Sequence, residues 1–365
     1  MVEANKKRVR RELDILLRKG LKKGVFSGAC VSFFKPEKLS REKTFFSCGT
    51  TGKGETGNKV AEKTFYDLAS LTKPLVTTLS AAALIEKGML HLEDKLSDCC
   101  SWEVKGVKRD IKVVHLLSHS SGLPAHRPYY EELYRSLPGD KKGKIKNWIL
   151  SENLCFAPGT DTLYSDLGFI LLGLLIEEKS GERLNLFWEK EIIAPLKLQK
   201  ELFFPQKRDF HTGQCIFTEK CIWSGQMLCG EVHDDNCRAM GGVAGHAGLF
   251  GTAPAVLSLC EHLLEQFKGR EEHPSYSSEL LRLLLQRVDK KGWSCGFDTV
   301  TKGNSSSGKF FSEGSRGHLG FTGTSFWIDF EKEKAVVLLT NRVHMSGGPE
   351  GIQKLRPQIH NAIMK

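Results

Sequence analysis

Strand-like runs sit at both ends of this chain and helical patterns fill its middle, and that order leaves few ways to fold it. Val25–Phe34 (VFSGACVSFF) and Thr44–Cys48 (TFFSC) read as strands near the N-terminus. Trp293–Thr299, Gly320–Phe330 and Ala335–Thr340 (AVVLLT) read as strands near the C-terminus, the last two joined by the charged turn Glu331-Lys332-Glu333-Lys334. Between them, residues 70–89 have helical periodicity with an alanine-rich middle, and helical patterns continue to about residue 195. Asp166–Lys179 (DLGFILLGLLIEEK) is apolar on several faces, as a buried helix is, and Gly181 stands where a C-cap glycine belongs. Residues 275–288 and 349–364 read as further helices, and there is no internal repeat. The simplest packing joins the two ends into one antiparallel sheet flanked by the terminal helices. The expected class is α+β. Residues 1–80 and 270–365 would form a discontinuous sheet domain, and residues 81–269 a mostly helical inserted domain, with a cleft between them.

A chain of 365 residues, 40% hydrophobic and 26% charged, buries a core without metal or disulfide staples and is neither disordered nor collagen-like. Its eleven cysteines are odd in number and follow no secretion signal, which favours free thiols. Cys215, Cys221, Cys229 and Cys237, near His211 and His233, lack a C-x-x-C pair and read as small buried hydrophobes rather than a zinc site. No run of 18 apolar residues is present to span a membrane, and no apolar stretch follows the basic N-terminus as in a signal peptide. A cytoplasmic location is therefore expected, although a chain trimmed of its leader would read the same way. The net charge is +10, and residues 1–25 hold nine basic side chains against three acidic ones. Leu13, Leu16, Leu17 and Leu21 recur there at helical spacing, so the segment reads as a helix docked by its leucines with its charges in water. Binding of nucleic acid or an anionic surface is the alternative, but no nucleic-acid-binding signature accompanies the charge. The run Gly49, Gly52, Gly54 and Gly57 does not match a phosphate-binding loop and reads as a hairpin loop.

Three constellations carry chemistry. Ser-x-x-Lys occurs at Ser40–Lys43, Ser70–Lys73 and Ser306–Lys309, but only Ser70 opens a long apolar helix. There, positions three apart share a face, so the Lys73 amine reaches the Ser70 hydroxyl. A lysine whose pKa is lowered by burial or a nearby cation could take the serine proton; the bland reading is an N-cap serine on a surface helix. Second, a turn after Pro158-Gly159 delivers Tyr164-Ser165-Asp166 to the start of the buried helix. Beside an ammonium group a tyrosine can act as a base; otherwise it is a rim tyrosine. Third, Gly317-His318-Leu319-Gly320-Phe321-Thr322-Gly323-Thr324 enters a strand whose glycines allow close backbone approach to a ligand. His115 and His119 stand four apart without the glutamate of a zinc helix, so they read as packing. His246 either lines the cleft or caps a tight turn, and His233 and Asp234 read as a cap. Residues 200–240 lack periodicity and are expected to wall one side of the cleft.

Ser70-Leu71-Thr72-Lys73, Tyr164-Ser165-Asp166 and His318-Leu319-Gly320, in this order, resemble the three signature boxes of the serine β-lactamase and penicillin-binding protein superfamily. The tyrosine box resembles its class C β-lactamase-like branch, which includes DD-carboxypeptidases, D-aminopeptidases and family VIII esterases. His115-Leu116-Leu117-Ser118-His119-Ser120-Ser121-Gly122-Leu123-Pro124 and Leu339-Thr340-Asn341-Arg342 agree with that branch, as does the stretch from His233 to Phe250. The resemblance implies the β-lactamase/transpeptidase-like fold. It implies Ser70 as acylated nucleophile, Lys73 and Tyr164 as proton-moving groups, and the backbone N–H groups of Ser70 and Phe321 as an oxyanion hole. His318, Leu319, Gly320 and Asp166 would contact substrate, with His318 in the cationic position of the third box. It implies no cofactor and no metal, and a small-molecule or peptide substrate with no nucleic-acid partner. Asp166 stands where the lactamase pattern has Asn, and His318 where it has Lys; both changes favour esters or D-amino-acid peptides of the cell-wall type over β-lactams. Reading Phe321-Thr322-Gly323 as the third box would put an apolar residue at the cationic position. A β-lactamase is the alternative activity, and an idle binding or scaffold protein of the same fold the alternative class.

Overall fold

The computed structural model describes residues 2–36, 41–52, 57–136, 139–205, 214–288, 293–303 and 305–365. Ser40, Gly54 and His211 lie outside the described residues. The strands are β1 (Gly28–Pro36), β2 (Arg41–Gly49), β3 (Tyr66–Asp67), β4 (Leu202–Phe203), β5 (Phe217–Lys220), β6 (Met227–Cys229), β7 (Phe250–Gly251), β8 (Asp298–Thr299), β9 (Arg316–Leu319), β10 (Ser325–Asp329) and β11 (Lys334–Thr340). The α-helices begin with α1 (Val2–Lys22), α2 (Leu79–Glu86), α3 (Leu96–Cys99), α4 (Val113–Leu117), α5 (Tyr129–Arg135) and α6 (Lys141–Ser151). They continue with α7 (Asp166–Ser180), α8 (Leu184–Trp188), α9 (Asp235–Ala239), α10 (Ala253–Phe267), α11 (Ser278–Leu284) and α12 (Glu350–Met364).

The two ends of the chain do meet. Six strands form one antiparallel sheet in the order β2-β1-β11-β10-β9-β8. Val31 faces Leu338 and Phe33 faces Val336 across the β1–β11 seam. Because side chains alternate across a strand, each seam residue serves one of two cores. Ala29, Val31, Phe33, Trp327, Val336 and Leu338 pack with Leu13 and Leu17 of α1 and Ile359 and Ile363 of α12. Cys30, Phe34, Phe326, Val337 and Leu339 face the opposite way, into the larger core with α10 and the central helices. The N-terminal segment is thus a docked helix: Leu13 and Leu17 are buried, while Arg8 and Arg18 pair with Glu12 and Asp14 one turn away. Burying each such leucine contributes roughly 1.5–3 kcal/mol. The buried Asn341 amide locks the seam, accepting from the N–H groups of Ser27 and Gly28 and donating to the Phe217 carbonyl.

Three elements differ from the sequence expectation. Gly320–Phe330 is not one strand: Arg316–Leu319 forms β9, Gly320–Thr324 turns, and β10 starts at Ser325. The turn is closed by Gly323, at φ 100, with the Gly320 N–H donating to the Thr324 carbonyl. Only Asp298 and Thr299 of the run from Trp293 pair as a strand, at the sheet edge. Residues 70–89 are helical but not uniformly so. A 3-10 turn at Ala69–Leu71 leads into a wide π turn at Lys73–Thr78 before α2. The Leu75 carbonyl in that π turn receives the Trp188 indole N–H. The buried helix is as expected: α7 is capped by the Ser165 side chain and ends at Gly181, φ 70. All eleven cysteines are free thiols. No helix among the described residues is long and apolar enough to cross a membrane.

Two buried histidines make the fold acid-sensitive. Burial, aided by Arg356, pushes His360 down to about 3, and burial pushes His273 down to about 4. An unfolded histidine titrates near 6.5, so below that pH the unfolded chain takes up protons that the folded chain refuses. Stability present above about pH 6.5 therefore falls as the pH drops toward these values, by up to about 1.4 kcal/mol per pH unit for each histidine. We expect His360→Gln to reduce the loss of stability between pH 7 and 5 by about 2 kcal/mol, measured from urea unfolding at each pH. An unchanged loss would mean that His360 titrates normally in the folded chain.

Candidate active site

The Ser70–Lys73 segment is held in a strained turn. Ala69, just before the serine, has φ 48, a left-handed conformation costly for any residue with a Cβ. Three contacts impose it. The buried Asp67 carboxylate accepts from the Ala69 N–H at 2.8 Å and from the His233 N–H at 2.7 Å, and the Thr72 hydroxyl donates to the Ala69 carbonyl at 2.6 Å. From the sheet side, the Thr322 hydroxyl donates to the Asp67 carbonyl and the Thr324 hydroxyl to the Leu68 carbonyl. The β9–β10 turn is thereby tied to the backbone just before Ser70.

Lys73 is fully buried, and its ammonium donates to three oxygens: Ser70 Oγ at 3.0 Å, Asp166 Oδ1 at 2.7 Å and the His246 carbonyl at 3.2 Å. The ammonium lies 4.8 Å from the centre of the Tyr164 ring. Burial pulls the Lys73 pKa down, but Asp166 and Tyr164 outweigh it and the net shift is upward. That corrects the sequence expectation of a lysine base with a lowered pKa: the carboxylate at position 166 keeps Lys73 charged. Burial pushes the Tyr164 phenol up and Asp166 adds to the rise; Lys73 and Ser70 draw it back only in part. The resting phenol is therefore neutral, against the expectation of a depressed tyrosine. Burial opposes the Asp166 charge, yet Lys73, then His126 and His246, hold its carboxyl well below the usual carboxylate range. Its second oxygen lies 3.6 Å from His126 Nδ1. Asp166 also opens α7, where the positive helix end favours a carboxylate.

His318 sits on β9 with its ring tilted 43° to that of Tyr164, the two ring centres 6.0 Å apart. Its Nδ1 lies 2.8 Å from the Leu319 carbonyl, which assigns the proton to Nδ1 and leaves Nε2 a buried acceptor without a hydrogen-bond partner among the described residues. Burial and then Lys73 push His318 down to about 3. The expected cationic group of the third segment is thus a neutral acceptor, because a second cation beside Lys73 is unfavourable.

These groups open onto a cleft of about 840 Å3 lined by Ser70, Tyr164, Asp166, His318, Leu319, Gly320 and Phe321. The irregular region does wall one side, through Glu219, His233, Asp234 and Asp235. Asp234 caps α9 by accepting from the Cys237 N–H, and it also meets His246 Nε2 at 2.8 Å. His246 lies behind that wall, 1% exposed, with its carbonyl on Lys73. Gly245 lets this loop in: a Cβ there would lie 2.0 Å from the Phe169 carbonyl oxygen. Phe321 is 65% exposed between the His233 ring, 5.5 Å away, and the Arg342 guanidinium, 4.7 Å from its ring centre. His115 caps α4, accepting the Lys112 N–H, and Ser306 and Lys309 lie away from the cleft lining.

Sequence reasoning missed His126 and Trp293, which have no motif. His119 packs, as its spacing without a zinc-helix glutamate suggested, but it packs at the site: its buried ring lies 4.5 Å from the Tyr164 ring and 4.6 Å from Trp293. His119 takes φ 59, and that departure from helical geometry is what sends its side chain to the site.

Residues 13–356 match the family model described as Beta-lactamase. The chain is 30% identical over 318 residues to the N-acetylmuramyl-L-alanine amidase of Bacillus subtilis (strain 168), covering 78% of this chain and 70% of that one. It is 30% identical over 313 residues to a putative D-alanyl-D-alanine carboxypeptidase of Escherichia coli O157:H7, covering 78% and 71%. Among solved structures, EstCE1, a hydrolase with promiscuous acyltransferase activity, superposes with a TM-score of 0.76 at 22% identity, over 99% of this chain and 100% of that one. The penicillin-binding protein homologue from Pyrococcus abyssi gives 0.70 at 20% identity, over 94% and 75%. At these identities the structures speak for the fold.

Gly320 tests how closely the turn must meet the Ser70 segment. A Cβ there would lie 2.0 Å from Thr324 Oγ1 and 2.8 Å from the Leu68 carbonyl oxygen. We expect Gly320→Ala to destabilise the fold by about 1–3 kcal/mol through overpacking, read from chemical denaturation. A variant as stable as wild type would show that the turn and the Ser70 segment separate freely.

Proposed function

As a member of the Beta-lactamase family the chain is a serine hydrolase, and we propose that it acts through an acyl-enzyme on Ser70, with small esters or D-amino-acid peptides of the cell-wall type as substrates. The observation that carries the reading is the single ammonium of Lys73, bridging Ser70 Oγ and Asp166 beneath the Tyr164 ring. The protonation states then define the route. Lys73 is charged and Tyr164 neutral, so neither begins as a free base. A relay needs no free base: Ser70 Oγ attacks the carbonyl carbon, its proton passes to the Tyr164 oxygen, and the phenol proton passes to the leaving oxygen or nitrogen. The Lys73 charge stabilises the oxygens of Ser70 and Tyr164 while the protons are in flight. Water then attacks the acyl carbon, Tyr164 takes its proton, and Ser70 regains one as it leaves. The backbone N–H groups of Ser70 and Phe321 serve as the oxyanion hole, held in register by the Thr322 and Thr324 hydroxyls.

The cleft favours some acyl donors over others. Leu319, at the end of β9 beyond its pairing with β8, offers the substrate a backbone edge, and exposed Phe321 an apolar platform. Neutral His318 offers an acceptor where a β-lactam carboxylate would need a cation. The amidase and carboxypeptidase relatives support cell-wall-type peptides.

Hydrolysis of p-nitrophenyl esters and of a D-alanyl-D-alanine peptide tests the assignment, with intact-protein mass to detect the acyl adduct. Ser70→Ala should abolish both turnover and adduct, and Tyr164→Phe should lower kcat by about 10²–10⁴-fold. Unchanged hydrolysis by Ser70→Ala would overturn the nucleophile. Faster turnover of benzylpenicillin than of either substrate would make the protein a β-lactamase. Asp166 supplies a pH test. Its carboxylate raises both Lys73 and Tyr164, so Asp166→Asn should move the alkaline limb of the kcat/KM profile to lower pH. A limb that stays in place would show that neither group governs it.

A further inference from the structure

Tyr164 sits outside any regular element, yet the proton relay requires its hydroxyl to be fixed relative to Ser70. The segment Leu163–Asp166 takes its shape from the loop that follows α4. The Leu163 N–H donates to the His119 carbonyl at 2.9 Å, and the Asp166 N–H donates to the Ala125 carbonyl at 2.8 Å. The Ser165 hydroxyl donates to the Pro124 carbonyl at 2.7 Å, and the Ser165 N–H donates to His119 Nδ1 at 3.1 Å. His119 therefore grips the backbone on both sides of Tyr164, with its carbonyl one residue before and its ring nitrogen one residue after. Its ring also lies 4.5 Å from the phenol ring, centre to centre.

The details fit a built clamp. His119 is 1% exposed, and it is one of four non-glycine residues with positive φ among the described residues. A left-handed histidine is strained, and such strain persists where the surroundings impose it. Accepting at Nδ1 places the ring proton on Nε2, which has no hydrogen-bond partner among the described residues. The ring must stay neutral to keep that lone pair. Burial and then Lys73 hold it neutral against the opposing pull of Asp166.

We propose that His119 is a positioning residue for Tyr164, acting through the hydrogen bond from the Ser165 N–H to Nδ1 and setting the phenol over Ser70. This rests on the relay above, in which Tyr164 passes the proton. Misplacing a reacting group by about 1 Å costs on the order of 10²-fold. His119 touches neither substrate nor reacting atoms, so its effect falls on kcat.

Two substitutions separate the hydrogen bond from the backbone strain. Glycine and asparagine both accept φ 59, but only asparagine carries an acceptor, Oδ1, where Nδ1 stood. With active sites counted by a fluorophosphonate that labels Ser70, kcat per labelled site corrects for any misfolded fraction. We expect H119G to lower kcat by about 10–100-fold with KM within about threefold, and H119N to recover to within about fivefold of wild type. Equal impairment of H119N and H119G, wild-type kcat in H119G, or a loss confined to KM would each overturn the proposal. Tyr164→Phe, run alongside, distinguishes the two failures: wild-type kcat in that variant would overturn the relay itself.

Discussion

A lysine ammonium buried without partners would cost several kcal/mol, and the centre of this molecule is arranged around preventing that. An ammonium has three hydrogens to donate, and Lys73 places one on Ser70, one on Asp166 and one on the His246 carbonyl. The three acceptors come from three parts of the chain. Ser70 stands one turn away, Asp166 opens the buried helix α7, and His246 rides a glycine-rich loop wedged against that helix. Satisfying one cation thus fixes the relative position of three segments. The cation in turn determines which other groups near it carry charge. Asp166 is held ionised, while His318 and His119 are held neutral. Positive charge is concentrated where the serine and tyrosine oxygens need it.

The sheet contributes in a different way. Its two faces belong to two cores, so β10, with Trp327 in one and Phe326 and Ile328 in the other, is gripped from both sides and anchors the turn before it. Thr322 and Thr324 reach from that turn to the carbonyls just before Ser70. The strain at Ala69 and the approach allowed by Gly320 belong to the same joint. Sheet and helices meet there through hydroxyl-to-carbonyl bonds, which are directional and set the spacing between the serine and the strand edge.

Much of this was legible in the sequence. The strand-like runs AVVLLT and VFSGACVSFF gave the two chain ends that join in one antiparallel sheet, and the leucines of α1 gave a docked helix. The all-round apolarity of α7, with a glycine after it, gave a buried helix with its C-cap; the structure adds the Ser165 N-cap. Ser70, Lys73, Tyr164 and Asp166 are brought together as their motifs suggested. Their protonation states were not legible, because these depend on a balance between burial and the Lys73–Asp166 pair that spacing does not reveal. The strand at 320–330 was overextended because Phe321-Thr322-Gly323-Thr324 has strand-like composition, and the turn arises from tertiary bonds. His119 packs as read, but what it packs against was not legible, because a period-of-four argument presumes a helix and α4 ends two residues before it.

The pairing of β1 with β11 has a consequence for the timing of synthesis. The two strands lie about 300 residues apart, and a ribosome adds roughly 5–20 residues per second. Val31 and Phe33 therefore wait on the order of 15–60 s for Leu338 and Val336 to emerge. Throughout that interval β1 and β2 form a hairpin with one open edge, and the Thr322 and Thr324 ties to the Ser70 turn do not yet exist. The nascent chain carries its serine, lysine and tyrosine long before it carries the strands that align them. Acyl-transfer chemistry is withheld until those strands emerge, and the exposed β1 edge is the stretch a chaperone would have to cover.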